Sequence, residues 1–350
     1  MITYRFRLVL IAFLTLLLSA LSISQNLKQV LDLRGNWKFE LGDSSEWSQP
    51  GFDDSKWDVI HVPSPWENEG YPGYDGYAWY RKHFRVDGRF RDDPMYLRLG
   101  NIDDAGEAYL NGHMIGFVGA FPPGFHTGYG IDFRCLVPQD FLLDGADNVV
   151  AVRVYDHYKE GGITHGSVGF YHATDYLEPD FDLSGTWRFK TGDNKAWAES
   201  SFDDSRWQEL RVPLMWDAQG YKDYDGFAWY RVKFKVPAEF AGKRLVLLLG
   251  KIDDNDETYL NGELIGRTGS MRRKLGGDNL NNDYQQLRAY SIPPSVLIRG
   301  QENTIAVRVL DVWMHGGIYD GPIGLIERNH YQAQRDRPRS IWDFLKQFLR

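Results

Sequence analysis

Between positions 229 and 236 the chain alternates. Tyr230, Val232, Phe234 and Val236 fall on one side of an extended backbone, and Trp229, Arg231, Lys233 and Lys235 on the other. A period of two predicts a strand with one face in a core. The pattern returns at 79–86, with Tyr80, Phe84 and Val86 opposed to Trp79, Arg81, His83 and Arg85. Short apolar runs at 95–99, 149–155, 245–249 and 304–310 read as further strands. Asn111-Gly112 and Asn261-Gly262 read as two-residue hairpin turns, because both positions tolerate positive φ. About eight short strands per unit without helical periodicity predict an all-β chain of antiparallel β-sandwiches of the jelly-roll kind. The last stretch differs. Ser340 can cap a short C-terminal amphipathic helix in which Ile341, Phe344, Leu345, Phe348 and Leu349 share a stripe.

The two strands belong to a duplication. Gly76-Tyr77-Ala78-Trp79-Tyr80-Arg81 reappears 150 positions later as Gly226-Phe227-Ala228-Trp229-Tyr230-Arg231. Trp37, Trp47, Trp57 and Trp66 return as Trp187, Trp197, Trp207 and Trp216. So long a period describes whole domains and not a solenoid unit. The expected organisation is a signal peptide over 1–24, one sandwich over 27–175, a second over 177–330 and a helical tail over 331–350. A net five-residue insertion in the second copy falls between Gly269 and Ser291.

A net charge of −8 argues against nucleic acid, whose phosphates require a basic face. Arg5 and Arg7, the apolar run Leu8–Leu21 and the small Ser22 and Ser24 read as a secretory signal, predicting a secreted or periplasmic protein. An uncleaved membrane anchor is the alternative. Cys135 is the only cysteine, so no disulfide framework is expected.

The motifs Gly226–Arg231, Ile252-Asp-Asp-Asn-Asp-Glu-Thr-Tyr-Leu-Asn-Gly262, Arg288-Ala-Tyr-Ser-Ile-Pro-Pro294 and Asn303–Asp311, closing on Gly316-Gly317-Ile318, resemble the galactose-binding-like sugar-binding sandwich of family 2 glycoside hydrolases. They also resemble the domain inserted in bacterial sialate O-acetylesterases. The resemblance covers about residues 30–327 and is weaker in the first copy, where Gly106 stands for Asp256. In both families such a module accompanies a separate catalytic domain, and the duplication takes up the length a catalytic barrel of ~250 residues needs. The resemblance implies a secreted, non-catalytic carbohydrate-binding protein. An accessory or divergent component of a glycosidase or esterase system is a second reading, and a protein scaffold using the C-terminal helix a third. The expected partner is an oligo- or polysaccharide, galactose- or sialic-acid-containing.

Sugars present apolar C–H faces and rings of hydroxyls, so a site combines aromatic platforms with Asp and Arg. The candidates are Trp66, Tyr71, Tyr74, Asp75, Trp79 and Arg81, with Trp216, Tyr221, Tyr224, Asp225, Trp229 and Arg231 in the second copy. The alternative is that the chain folds over its own sheet, burying the tryptophans and pairing Arg with Asp. Asp253, Asp254 and Asp256, like Asp103 and Asp104, either cap turns or supply oxygens to a structural Ca2+. Gly42-Asp43-Ser44 resembles an esterase nucleophile motif. The second copy reads Gly192-Asp193-Asn194, so Ser44 is read as part of a turn and no catalytic residue is assigned. The glycine loops carry His157, Tyr158, Trp313, Met314 and His315, which differ between copies and are where specificity would diverge. Arg272, Arg273 and Lys274 read as solvated surface or as the rim of a site for an acidic sugar.

Overall fold

The structure, a computed structural model, describes residues 27–86, 94–240, 242–271 and 283–336. The proposed signal, the tribasic insertion and the helix expected after Ser340 lie outside them.

Sandwich 1 contains β1 (Leu27–Asp32), β2 (Gly35–Leu41), β3 (Asp58–Val62), β4 (Gly76–Arg85), β5 (Met95–Asp103), β6 (Ala105–Leu110), β7 (His113–Val118), β8 (Asp132–Val137), β9 (Asp147–Asp156) and β10 (Gly162–Ala173). A six-stranded sheet in the order β3-β2-β4-β9-β6-β7 faces a four-stranded sheet, β1-β10-β5-β8. Sandwich 2 repeats this with β11 (Phe181–Asp182), β12 (Gly185–Thr191), β13 (Gln208–Val212), β14 (Gly226–Lys235), β15 (Leu245–Asp253), β16 (Asn255–Leu260), β17 (Glu263–Thr268), β18 (Arg288–Ser291), β19 (Glu302–Asp311) and β20 (Gly317–Glu327). Its sheets run β13-β12-β14-β19-β16-β17 and β11-β20-β15-β18. The named ladders are antiparallel, as the alternation predicts. One helix, α1 (Arg328–Arg335), follows β20, and its Tyr331 packs against Leu177, Val246, Leu248 and Ile326.

Both Asn-Gly turns form. Asn111 has φ 50° and Gly112 φ 86°, and Asn261 and Gly262 match them. Asn111 also donates from Nδ2 to Asn148 Oδ1 and to the Phe141 carbonyl, each at 2.8 Å, so the hairpin is tied to β9.

The parity of β4 places Tyr80, Phe84 and Val86 in the main core with Trp37, Phe39 and Trp66. Its other face is not polar surface. Residues 42–57 fold over it, and Trp57, Trp79 and Ala151 form a second, smaller core with Trp47, Phe52 and Tyr109. Trp197, Trp207, Trp229, Tyr259 and Ala306 build the same layer in sandwich 2.

Candidate functional site

The outer layer decides the fate of the Trp/Arg candidates. Arg81 is fully buried; its Nε donates to Asp54 Oδ2 at 2.7 Å, and its remaining N–H groups reach the carbonyls of Trp47, Gln49 and Phe52. Arg231 does the same with Asp204 and the carbonyls of Trp197, Glu199 and Phe202. Only a guanidinium fork can serve a carboxylate and several carbonyls at once. Trp79 Nε1 donates to Asp43 Oδ1 at 3.1 Å, and Arg153 Nε donates to the same oxygen at 2.7 Å. Asp193 receives Trp229 and Arg308 likewise. The Gly-Asp-Ser turn is thus a clamp on the sheet. A sugar platform must show a face to water, and Trp79, Arg81, Trp229 and Arg231 show none.

Trp66 and Trp216 are also fully buried, on the inner side. Each closes against its glycine loop so tightly that a Cβ at Gly161 would lie 2.2 Å from Trp66, and one at Gly316 2.0 Å from Trp216. This contact explains why glycine recurs there. The loop tyrosines are half-buried staples. Tyr74 donates to the Tyr77 carbonyl and Tyr224 to the Phe227 carbonyl, both at 2.7 Å. Tyr71 lies 4.8 Å from Phe39 and donates to Asp58. Tyr221 lies 4.7 Å from Phe189 and donates to Gln208.

Asp75 and Asp225 remain exposed, and they border an acidic tip in each sandwich. At the tip of sandwich 1, Asp103 ends β5, Asp104 follows it and Asp156 ends β9; carboxylate oxygens of the three lie within 4.8 Å of one another. Asp104 accepts from Thr127 Oγ1 at 2.6 Å and from the His157 N–H at 3.0 Å. Asp156 accepts the Tyr158 N–H at 3.1 Å through Oδ1. Burial, reinforced by Asp104, pushes the Asp103 carboxyl up to about 7. Burial also lifts Asp156 to about 6; the Tyr158 N–H opposes this, and Asp104 and Asp75 add to it. In sandwich 2 burial carries Asp311 to about 8 and Asp253 well above the usual carboxylate range. Asp256 does not join this group. It is fully buried, takes Arg288 Nε at 3.0 Å, and accepts from Thr258 and Tyr290, so it has no oxygen to offer a metal.

The rim of the first tip is aromatic and exposed. Tyr158 is 68% exposed, Tyr129 63% and, from sandwich 2, Trp313 56%. Trp313 meets His126 edge-on with ring centroids 5.4 Å apart, and Phe125 lies 4.9 Å from His157. Tyr158 and Trp313 sit in the unrepeated glycine-loop positions. Phe125, His126 and Tyr129 escape notice in the sequence; the signal for them is that the segment 119–131 has no counterpart text in the second copy.

The tips differ because sandwich 2 leans on sandwich 1. His315 packs edge-on against Phe117 at 3.9 Å, Lys222 Nζ reaches Glu107 Oε1 at 2.9 Å, and Tyr96 donates to Asp320 at 2.8 Å. Arg211 pairs with Asp140 and lies over Phe141. Loops of the second tip are spent partly on this seam.

Residues 41–160, most of sandwich 1, match the family model described as the β-galactosidase second all-beta domain. The β-galactosidase BoGH2A of Bacteroides ovatus is 29% identical over 154 residues, which cover 40% of this chain and 17% of that enzyme. A β-galactosidase of Vibrio vulnificus is 33% identical over 140 residues, covering 35% and 13%. A β-glucuronidase of Formosa agariphila is 24% identical over 144 residues, covering 36% and 14%. The chain therefore spans less than a fifth of the length of these curated relatives. It carries all-β domains of the kind found as sandwiches in family 2 glycoside hydrolases.

Proposed function

We propose that the chain is a secreted, non-catalytic carbohydrate-binding protein whose main site is the tip of sandwich 1. The observation that carries this reading is the exposed rim of Tyr158, Tyr129 and Trp313 around the acidic group of Asp103, Asp104 and Asp156. Exposed rings offer the apolar platform a pyranose face needs, and Asp75 and Asp103 offer acceptors to its hydroxyls. Binding suits this tip better than hydrolysis. A glycosidase needs two carboxyl groups that reach the scissile bond. Asp156 has no exposed surface, and Asp104 has a donor on each oxygen.

The full chain is tested on a glycan array and by calorimetry against the hits, beside a Tyr158→Ala/Trp313→Ala variant. Selective binding that falls at least about tenfold in the variant, the worth of ~1.4 kcal/mol, supports the reading. Binding that survives both truncations sinks it. A second reading, an accessory component of a glycosidase system, is favoured by the relatives being β-galactosidases and β-glucuronidases. It predicts a silent array together with altered kinetics of a partner hydrolase when the chain is added.

A further inference from the structure

The three carboxylates of the first tip raise a question of charge that hydrogen bonds alone do not answer. Among the described residues none of Asp103, Asp104 and Asp156 has a Lys, Arg or His ion-pair partner. Asp156 is 0% exposed, and its Oδ2 has no hydrogen-bond partner. A buried carboxylate oxygen left without a donor is costly. Here that side chain belongs to a group whose oxygens lie within 4.8 Å of one another. Two oxygens that both touch a Ca2+ at ~2.4 Å span at most about that distance. Mg2+ holds its ligands at ~2.1 Å and keeps most of its waters, which suits a partly buried carboxylate set less well.

We propose that sandwich 1 binds a divalent cation of the calcium class between Asp103, Asp104 and Asp156. The ion would join the end of β5 to the end of β9. It would also bear on two loops through Asp104, which already receives Thr127 from one and the His157 N–H from the other. Those loops carry Tyr129 and Tyr158, so occupancy stiffens the aromatic rim. The proposal is confined to sandwich 1. Asp253, Asp254 and Asp311 occupy the equivalent positions, and Asp311 Oδ2 is likewise unpartnered, but their oxygens do not gather within the same distance. No sugar enters the test, so the cation reading and the carbohydrate reading can fail separately.

The full chain, freed of metal with a chelator, is titrated with Tb3+ while nearby tyrosines and tryptophans are excited, and Ca2+ is then used to displace the lanthanide. Melting is followed in parallel with Ca2+ and with Mg2+. The expected result is sensitised emission, displacement by Ca2+ ahead of Mg2+, and a Ca2+-dependent rise in melting temperature. Asp156→Asn and Asp104→Asn should each weaken Ca2+ roughly tenfold or more with the β-rich circular dichroism intact, and Asp311→Asn should stay within about twofold. Should one of the first two variants fail to fold, the other decides the matter. Absence of emission and of any Ca2+ effect in the wild-type chain overturns the proposal. So does equal Ca2+ affinity in wild type and in whichever of the two variants folds.

Discussion

Lys222 of sandwich 2 places its ammonium 2.9 Å from Glu107 Oε1 of sandwich 1, and Glu107 is the better buried partner by far: its side chain is 5% exposed against 54% for the lysine. Glu107 also accepts from Tyr109 at 2.9 Å and pairs with Arg153 at 3.3 Å. The lysine is thus a visitor to a carboxylate that sandwich 1 already needs. Lys222→Met should cost no more than about 1 kcal/mol, as for other half-exposed ion pairs. Glu107→Ala should cost more, about 1–3 kcal/mol, because it removes the acceptor of the Tyr109 hydroxyl and one of the two carboxylates on Arg153, which keeps Asp43. Urea unfolding of both variants checks this; equal losses would show that the seam and not the sandwich depends on Glu107.

Arg81 and Arg231 make a matched pair of predictions. Each holds the covering segment of its own sheet through one Asp and three carbonyls. Arg81→Met leaves those carbonyls without donors and Asp54 without its guanidinium. The expected loss is about 3–5 kcal/mol, and Arg231→Met should match it in sandwich 2. Arg81→Lys should recover little, since an ammonium cannot span the same acceptors. Chemical denaturation followed by tryptophan emission reports it directly, because Trp47, Trp57 and Trp79 lie in the layer that opens.

Much of this was legible in the sequence, and the failure at the site has a definite cause. The alternation in β4 identifies Tyr80 and Phe84 as core, and the Asn-Gly pairs locate the hairpins, because both signals are local. Whether Trp79 and Arg81 face water depends on residues 42–57, which return over the sheet from more than twenty positions upstream. No period records that. The duplication also misleads in one respect. Trp66, Trp79 and Arg81 recur in both copies because each sandwich needs them to fold, so repetition marks structure as readily as a site. The exposed rings of Tyr158 and Trp313 stand where the copies differ. Proximity in sequence groups Asp256 with its acidic neighbours, yet it lies in β16, where Arg288 from β18 pairs with it.

Gly161 tests the close approach of loop and indole. A methyl group there would sit 2.2 Å from Trp66 Cζ2 and 2.8 Å from Asp156 Cβ, and neither neighbour is the free end of a flexible chain. Gly161→Ala should cost about 2–3 kcal/mol from overpacking. It should also disturb the loop at 157–160 that carries Tyr158. Gly316→Ala should behave alike against Trp216. Gly51, whose added Cβ would meet nothing within 4 Å and whose φ, like that of Gly161, lies outside the left-handed region, is the control for the substitution itself. A Gly161→Ala loss no larger than that of Gly51→Ala would mean the loop yields.

The seam carries a titratable group with a predictable sign. His315 is half-buried against Phe117, and burial, with the nearby His126 and Lys222 adding to it, depresses its imidazole to about 4. The unfolded chain takes up a proton near pH 6.5, whereas the folded one resists until about 4. Between those values the unfolded state binds more protons, so stability rises with pH. The contribution is fully present above pH 6.5 and is lost as pH falls through the window towards 4. Its size is at most about 3 kcal/mol, less for the part of the ring that water still reaches. Phenylalanine keeps the edge-on packing and removes the proton site. Melting curves from pH 7.5 to 4.5 should therefore fall less steeply for His315→Phe than for wild type. Parallel curves would mean that His315 titrates in the fold as it does in the unfolded chain, so that Phe117 meets an imidazolium below about pH 6.5.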